Sequence, residues 1–332
     1  MSAPLLRRVV FLDAGTLPQR LVFDPALHID YQPYAASAPG QVAQRIAEAE
    51  VVITNKVALT AELLAAAPLL RLVCVAAAGT DNIDFSAATR HGIAVRNVPD
   101  YGSDSVAEHT IALLLALRRA IVPSAQAARD GRWSRAGQFC WHGPALRDVG
   151  GSVLGIVGRG RIGEATARLA RGLGLQVLFA HRAGHVGGDV GGQGDCCFDT
   201  LLSQVDALSL HLPLTPETRG LIDARRLALM KPGAVLVNTS RGALVDSVAL
   251  AAALRSGRLA GAALDVLDTE PPSPDHPLLA PDIPNLLLTP HVAWASEQAQ
   301  ARLAGRLVEL VHQHLGALPA AAPAPISSGD TR

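Results

Sequence analysis

The chain is short of lysine, of aromatic residues and of cysteine, and neither sign of charge is in surplus. Lysine occurs only at positions 56 and 231, and 29 basic side chains balance 29 acidic ones, for a formal net charge of zero. That excludes the electrostatic footprint of a nucleic-acid binder. The cysteines are Cys74, Cys140, Cys196 and Cys197, with no CxxC pair among them. A thiolate metal site and a disulfide framework are both disfavoured, so no metal is expected and a reducing cytoplasm is the expected compartment. The first residues, Met-Ser-Ala-Pro-Leu-Leu-Arg-Arg, have no apolar h-region behind a basic start. The most apolar expected helix, 106–122, contains Glu108, His109, Arg118 and Arg119, which makes it a buried helix and not a membrane span.

What is present is enough apolar residue for two cores: 332 residues, 49% of them hydrophobic. The stretch that organises the chain is Val-Leu-Gly-Ile-Val-Gly-Arg-Gly-Arg-Ile-Gly at 153–163. An apolar run stops at Gly158, the spacing Gly158-x-Gly160-x-x-Gly163 follows, a helical pattern runs to Gly174, and a second apolar run occupies 177–180. Strand, glycine turn, helix and strand in that order are the frame of a dinucleotide site. Gly158 serves a tight turn, Gly160 a close approach to pyrophosphate, and Gly163 close packing of helix on strand. A tight turn without a ligand would use the same residues.

Upstream, strands are expected at 7–12, 51–54, 72–76 and 93–98, with helices at 41–49 and 60–66, the second capped by Thr60. Strands alternating with helices predict a parallel sheet. After the third strand, Ala76 to Asp84 is rich in small residues; it reads either as a plain turn, with Asp84 capping a helix at Phe85, or as backbone amides open to a small anion. A long helix is expected over 103–122, capped by Ser103 or Ser105, at the crossing between domains. Residues 129–150 are irregular and carry Trp133, Phe139 and Trp141, which either form a subunit interface or cover the domain's own core. Residues 183–194 hold six glycines and read as a surface loop. Strands at 207–211, 234–237, 261–265 and 286–288 each end in a polar cluster. The last helix is expected over 296–315, and an Ala/Pro/Ser-rich tail, 319–332, is expected to be disordered.

Three of those clusters carry Arg241, Glu270 and His291. In an open α/β sheet, ligands bind outside the carboxyl ends of the strands. Reduction of a 2-oxo acid needs a cation for the substrate carboxylate and carbonyl, a proton donor near neutral pH, and a carboxylate that orients that donor and stabilises its charged form; Arg, His and Glu supply these, while a nicotinamide carries the hydride. Singly, each of the three could equally be a helix entry, a solvated loop residue or a structural histidine.

The chain resembles the D-isomer-specific 2-hydroxyacid dehydrogenases. The matching segments are Ala78-Gly-Thr-Asp-Asn-Ile-Asp84, Asp104-Ser-Val-Ala-Glu-His-Thr110, Gly158-Arg-Gly-Arg-Ile-Gly163, His211-Leu-Pro-Leu-Thr-Pro-Glu-Thr-Arg-Gly220, Asn238-Thr-Ser-Arg-Gly-Ala-Leu-Val-Asp246, Glu270-Pro-Pro and Thr289-Pro-His-Val-Ala. The resemblance implies His291 as acid/base, Glu270 as its partner, Arg241 as the substrate-binding arginine, and backbone at Ala78 and Gly79 as a carboxylate loop, with Lys56 and Trp294 near the substrate. It implies that Gly158, Gly160, Arg161, Ile162, Gly163, Thr110, Leu212, Pro213, Thr218, Thr239, Ser240, Asp265 and Ala293 line the cofactor. It implies two doubly wound α/β domains: a Rossmann NAD(P)-binding domain, 102–291, inserted into a flavodoxin-like substrate domain, 1–101 plus 292–318. It also implies a homodimer through an arm at 123–150. Phe139-Cys140 and His291-Val-Ala-Trp-Ala-Ser are most similar to glycerate dehydrogenases (hydroxypyruvate reductases), with glyoxylate as a second substrate.

One feature departs from the NAD pattern. The second strand of the motif ends Phe179-Ala180-His181-Arg182, without the carboxylate that bonds the ribose hydroxyls. Arg182 suits a 2′-phosphate and His181 could stack or donate, so the expectation is dual or NADP-leaning use. Two alternatives share the scaffold: a dehydrogenase for D-lactate-type acids, phosphite or formate, and a non-enzymatic nucleotide-sensing co-repressor.

Overall fold

The computed structural model describes residues 7–180 and 195–317, which form two compact units: one from the N-terminal residues through Tyr101 plus the chain from Glu297 onward, the other Gly102–Ser296. His181, Arg182, the glycine-rich 184–194 stretch and the 319–332 tail lie outside the described residues.

The first unit is a five-stranded parallel sheet of β1 (Arg7–Phe11), β2 (Ile29–Pro33), β3 (Val51–Thr54), β4 (Leu72–Val75) and β5 (Ala94–Asn97), in the order β2-β1-β3-β4-β5. That is the flavodoxin-like order, wound outward in both directions from β1 and β3. Val10, Leu12, Val52, Val73 and Val75 pack with Val42, Ile46, Leu64 and Ala87 from the helices. The last helix, Glu297–Ala317, also packs against β4 and buries Ala299, Leu303, Leu307, Val311 and Leu315, a strict four-residue stripe. Arg7 donates to the Leu315 carbonyl near that helix's end.

The second unit is a seven-stranded parallel sheet: β6 (Val153–Val157), β7 (Gln176–Ala180), β8 (Asp195–Cys196), β9 (Ala207–Leu210), β10 (Val235–Asn238), β11 (Gly261–Leu264) and β12 (Leu286–Leu288). The order β12-β11-β10-β9-β6-β7-β8 is the Rossmann arrangement, with its switch point where β6 meets β9. Successive side chains of a strand point to opposite faces, and here both faces are covered. Leu154, Ile156, Val235, Val237 and Ala263 join a core with helices Ser103–Arg118 and Arg161–Gly172. Val157, Leu208, Leu210, Leu236 and Leu264 join the opposite core with Leu201, Leu227, Leu250 and Leu254.

Several sequence expectations need correction. Strand β2 is not foreseen, because an edge strand reading Ile-Asp-Tyr-Gln-Pro is half exposed and shows little apolar pattern. The helix expected over 103–122 ends at Arg118, and a second helix, Ile121–Arg129, leaves at 61°. The break is a left-handed Ala120 (φ 47°); Pro123 could not continue the first helix, because its ring would strike the carbonyl of Arg119. Neither Ser103 nor Ser105 caps that helix: Gly102 stands at its N-cap, and Ser105 Oγ instead donates 2.7 Å to the Ala293 carbonyl. The first compact unit resumes at Glu297, and Val292 and Ala293 donate their N–H groups to Asp265 of the second unit. Thr60 does stand at an N-cap, but its hydroxyl makes no capping bond to a backbone N–H. Residues 129–150 are not wholly irregular: Arg132–Arg135 is a helical turn, and Trp133 Nε1 donates to the Phe139 carbonyl at 3.2 Å. No single helix among the described residues is long and apolar enough to cross a membrane.

Candidate active site

Because all seven strands run parallel, the loops after β6, β9, β10, β11 and β12 emerge at one edge of the second sheet. The turn after β6 meets the three demands of a dinucleotide cradle. Gly158 has φ 109°, and a Cβ there would lie 2.2 Å from the His211 carbonyl oxygen. A Cβ on Gly163 would lie 2.1 Å from the Gly158 carbonyl, so helix and strand approach closer than any side chain permits. Gly160, the N-cap of the Arg161–Gly172 helix, faces open space for 4 Å around. The first N–H groups of a helix have no partner within the helix itself, which suits this turn to anion binding. These residues fit a nicotinamide dinucleotide, with Arg161 and Ile162 in the first helical turn.

The neighbouring loops are tied into fixed shapes. After β9, the Thr218 hydroxyl donates to the Pro213 carbonyl (2.8 Å) and accepts from Thr215 N–H (2.8 Å), closing the loop that begins at Leu212. Thr218 therefore builds the loop as well as lying in it. After β10, the buried Asn238 accepts from Ser240 N–H (3.0 Å) and donates to the Arg241 carbonyl (2.8 Å), which folds Thr239-Ser240-Arg241 over the strand end. Ser240 Oγ donates to the Leu210 carbonyl at 2.6 Å, and the hydroxyls of Thr239 and Thr110 are 2.9 Å apart. Arg241 Nη1 donates to the Ser240 carbonyl at 2.9 Å.

After β11 and β12 the structure brings two of the expected catalytic residues together. His291 Nδ1 lies 2.6 Å from Glu270 Oε2, and Glu270 Oε1 accepts Leu267 N–H at 3.0 Å. The side chains are 25% and 32% exposed, open enough to meet a ligand. With Nδ1 committed to the carboxylate, Nε2 is the ring nitrogen left for proton exchange. His291 has φ 55°, a left-handed backbone that costs a non-glycine residue about 1 kcal/mol. What holds it there is Asp265, whose carboxylate is 1% exposed. Asp265 accepts from Thr289 Oγ1 (2.5 Å), Val292 N–H (3.0 Å) and Ala293 N–H (2.8 Å), and its backbone carbonyl accepts His291 N–H (2.8 Å). His109 Nε2 lies 3.1 Å from Thr289 Oγ1, in the same network. Trp294 follows directly and packs on Gly102, where a Cβ would sit 3.5 Å from the Trp294 Cβ.

The remaining expected substrate residues belong to the first unit. Ala78 is exposed on the bend after β4, and its carbonyl accepts from Asn97 Nδ2 at 2.6 Å; Gly79 follows that bend. Asp84 caps the following helix through Ala87 N–H (2.8 Å), as its position after the bend predicts. Lys56 lies in a loop fixed by Asp13, a 5% exposed residue that accepts N–H groups from Asn55 (2.8 Å), Lys56 (2.6 Å) and Val57 (3.2 Å). Sequence reading misses Asp13, and it misses the part Asp265 plays beneath His291. The available signal is similar for both: an Asp within two residues of the end of a strand with a buried apolar end.

The chain as a whole, and the strand order that carries this edge, are similar to known proteins. A family model, the NAD-binding domain of D-isomer specific 2-hydroxyacid dehydrogenases, matches residues 111–293. The chain belongs to that family. It is 41% identical to a glycerate dehydrogenase of Methylorubrum extorquens, over 95% of this chain and 98% of that protein. It is 37% identical to a hydroxypyruvate reductase of Blautia hydrogenotrophica, over 84% of this chain and 86% of that one. Among solved structures it is similar to an NADPH-dependent glyoxylate/hydroxypyruvate reductase of Sinorhizobium meliloti in complex with NADP and malonate, at 28% identity and TM-score 0.77 over 96% and 97% of the two chains. The chain is thus a 2-hydroxyacid dehydrogenase that uses a nicotinamide cofactor.

Proposed function

We propose that this dehydrogenase interconverts hydroxypyruvate and D-glycerate, with glyoxylate as a second substrate. The observation that carries the chemistry is the 2.6 Å contact between His291 Nδ1 and Glu270 Oε2. In reduction, Arg241 holds the substrate carboxylate with its fork of donors and draws electron density toward the carbonyl oxygen. Protonated His291 releases its Nε2 proton to that oxygen, and Glu270 stabilises the imidazolium before transfer. The nicotinamide, when bound, supplies the hydride. Lys56, Ala78, Gly79 and Trp294 are assigned to substrate binding. The choice of substrate is supported by the names of the glycerate, hydroxypyruvate and glyoxylate enzymes among the relatives.

Dual or NADP-leaning use is part of the proposal, supported by a β7 strand that ends Phe179-Ala180 and continues His181-Arg182, without a carboxylate. A homodimer through 123–150 is supported by Trp133 and Phe139, 48% and 94% exposed on that arm. A cytoplasmic location is supported by the free thiols of Cys74, Cys140 and Cys197.

The test is oxidation of NADPH and NADH by the purified protein with hydroxypyruvate, glyoxylate and pyruvate in turn, beside sedimentation of the same sample. Hydroxypyruvate should give the highest kcat/KM, NADPH should equal or exceed NADH, and the mass should be that of a dimer. Higher turnover on pyruvate overturns the substrate assignment, and a strong NADH preference overturns the cofactor assignment.

A further inference from the structure

We propose that His276, Asp268 and Ser247 form a clasp that sets Glu270 against His291, which makes His276 and Asp268 positioning residues of the reaction. The proposal rests on the reading of Glu270 as the partner of His291. Asp268 stands two residues before Glu270 in the loop after β11. Its Oδ1 meets His276 Nε2 at 2.7 Å and accepts from Ser247 Oγ at 3.1 Å. The neutral tautomer of His276 is fixed from its other side: Nδ1 accepts Leu278 N–H at 3.2 Å, so Nε2 carries the hydrogen and donates to Asp268. His276 is itself buried, 7% exposed, and its backbone closes the far end of the loop through bonds to Ser273 and Leu279. The third member, Ser247, opens the Ser247–Arg255 helix that follows β10.

The other side of the same loop is held by shape. A Cβ on Gly242 would lie 1.9 Å from the Leu267 carbonyl carbon and 2.3 Å from Asp268 N, so backbone rests on backbone there. Gly242 is the residue after Arg241. The loop is therefore gripped at Leu267-Asp268 by the segment that carries Arg241, and at Asp268 by His276 and Ser247. Glu270 follows the gripped residues directly, two positions after Asp268, with Oε1 on Leu267 N–H and Oε2 on His291. No member of the clasp bonds to His291 or to Arg241, so its effect on the chemistry passes through the placement of Glu270. A buried, hydrogen-bonded imidazole that locks the tautomer of its own donor is the kind of support that orients a reacting group from behind.

The experiment compares His276→Phe, which fills the space without a donor, with His276→Gln, which keeps an N–H for Asp268. The readouts are kcat, KM and the pH dependence of kcat in the reductive direction. That profile follows His291, whose charged surroundings in the second unit are Glu270, Asp265 and His109, with Arg241 on the neighbouring loop. The Phe variant should lose about 10-fold in kcat, keep its KM for cofactor within about twofold, and lose activity at lower pH than wild type, because a displaced Glu270 supports the imidazolium less. The Gln variant should recover most of the rate and the original profile. If the Phe variant does not fold, Ser247→Ala, which removes one of the two donors to Asp268, should give a smaller loss and a pH shift in the same direction. A wild-type profile in the Phe or Ala variant, or equal impairment in Phe and Gln, overturns the clasp. Glu270→Gln separates the two levels of inference. If it lowers kcat while the His276 variants do not, only the clasp fails. If it leaves kcat and the profile unchanged, the reading of Glu270 fails, and the clasp with it.

Discussion

Each unit contains a buried aspartate at the end of a strand that collects the N–H groups of the loop after the adjacent strand. In the first unit Asp13, past β1, takes Asn55, Lys56 and Val57 from the loop after β3. In the second, Asp265, past β11, takes Val292 and Ala293, with the Thr289 hydroxyl, from the loop after β12. What the two loops present differs. Lys56 offers a charge on a four-carbon stem, which can find its target from an approximate position. His291 offers an imidazole two bonds from the backbone, and its backbone sits at φ 55°. A short side chain doing proton transfer needs a backbone placed to a fraction of an ångström, so the same anchor bears a strained loop in one unit and a relaxed one in the other.

The hardest test of this contrast removes the imidazole itself. His291→Ala should lower kcat by about 10³-fold, within the range found for general acid–base groups, while fluorescence titration shows cofactor affinity unchanged. A rate close to wild type would mean that the proton comes from another group.

Next come the two anchors. Asp265→Ala leaves two N–H groups and a hydroxyl without their acceptor and should destabilise the protein by about 3 kcal/mol. It should lower kcat by about 10- to 100-fold, because the His291 backbone can then relax. Asp13→Ala should cost similar stability, since it also strands three donors, here all N–H groups, but should raise the KM of the 2-oxo acid more than it lowers kcat. Thermal unfolding paired with steady-state kinetics separates the outcomes. If both variants lose kcat equally, the two anchors do not differ in the way their loops suggest.

Much of this was legible before the structure, for identifiable reasons. The strand–glycine turn–helix frame at Gly158, Gly160 and Gly163 was legible because its parts follow one another within a few residues, although the carbonyl that excludes a Cβ at Gly158, that of His211, comes from the far side of β9 in the chain. Arg241, Glu270 and His291 could be placed at strand ends because the strands β10, β11 and β12 are apolar, save for Asn238 at the end of β10, and the clusters after them are not. What stayed hidden depends on which strands lie side by side. Asp13 serves Lys56 only because β1 pairs with β3, and His276 reaches Asp268 only because the intervening loop doubles back. Ser105 looked like a cap and is instead a support for Ala293, a contact that no local rule anticipates. The helix break at Ala120 is different: Pro123 announced it, and the apolar run over 106–122 concealed the signal.

The smallest effect distinguishes the units by two half-buried histidines, His211 and His314. Burial pushes the His211 imidazole down from 6.5 to about 4, and among the described residues its Nδ1 has no partner. His314, in the last helix, is also lowered by burial, with Glu50 opposing the shift and Arg7 and Arg96 adding to it. Above pH 6.5 His211 is neutral in native and unfolded chains alike, and it has no effect on stability. Between 6.5 and about 4 the unfolded chain binds a proton that the native chain refuses, so stability falls as the pH drops, by up to about 3 kcal/mol for this group. Depressed carboxylates, Asp199, Asp206 and Asp268 among them, act in the same direction but below their ordinary range near 4, which leaves pH 6.5 to 4.5 to the histidines. Denaturant unfolding at several pH values should therefore show a slope that His211→Gln flattens most and His314→Gln flattens less. An undiminished slope in His211→Gln would mean that the ring is reached by solvent, and that the β9 end beside the Gly158 turn is wetter than its packing implies.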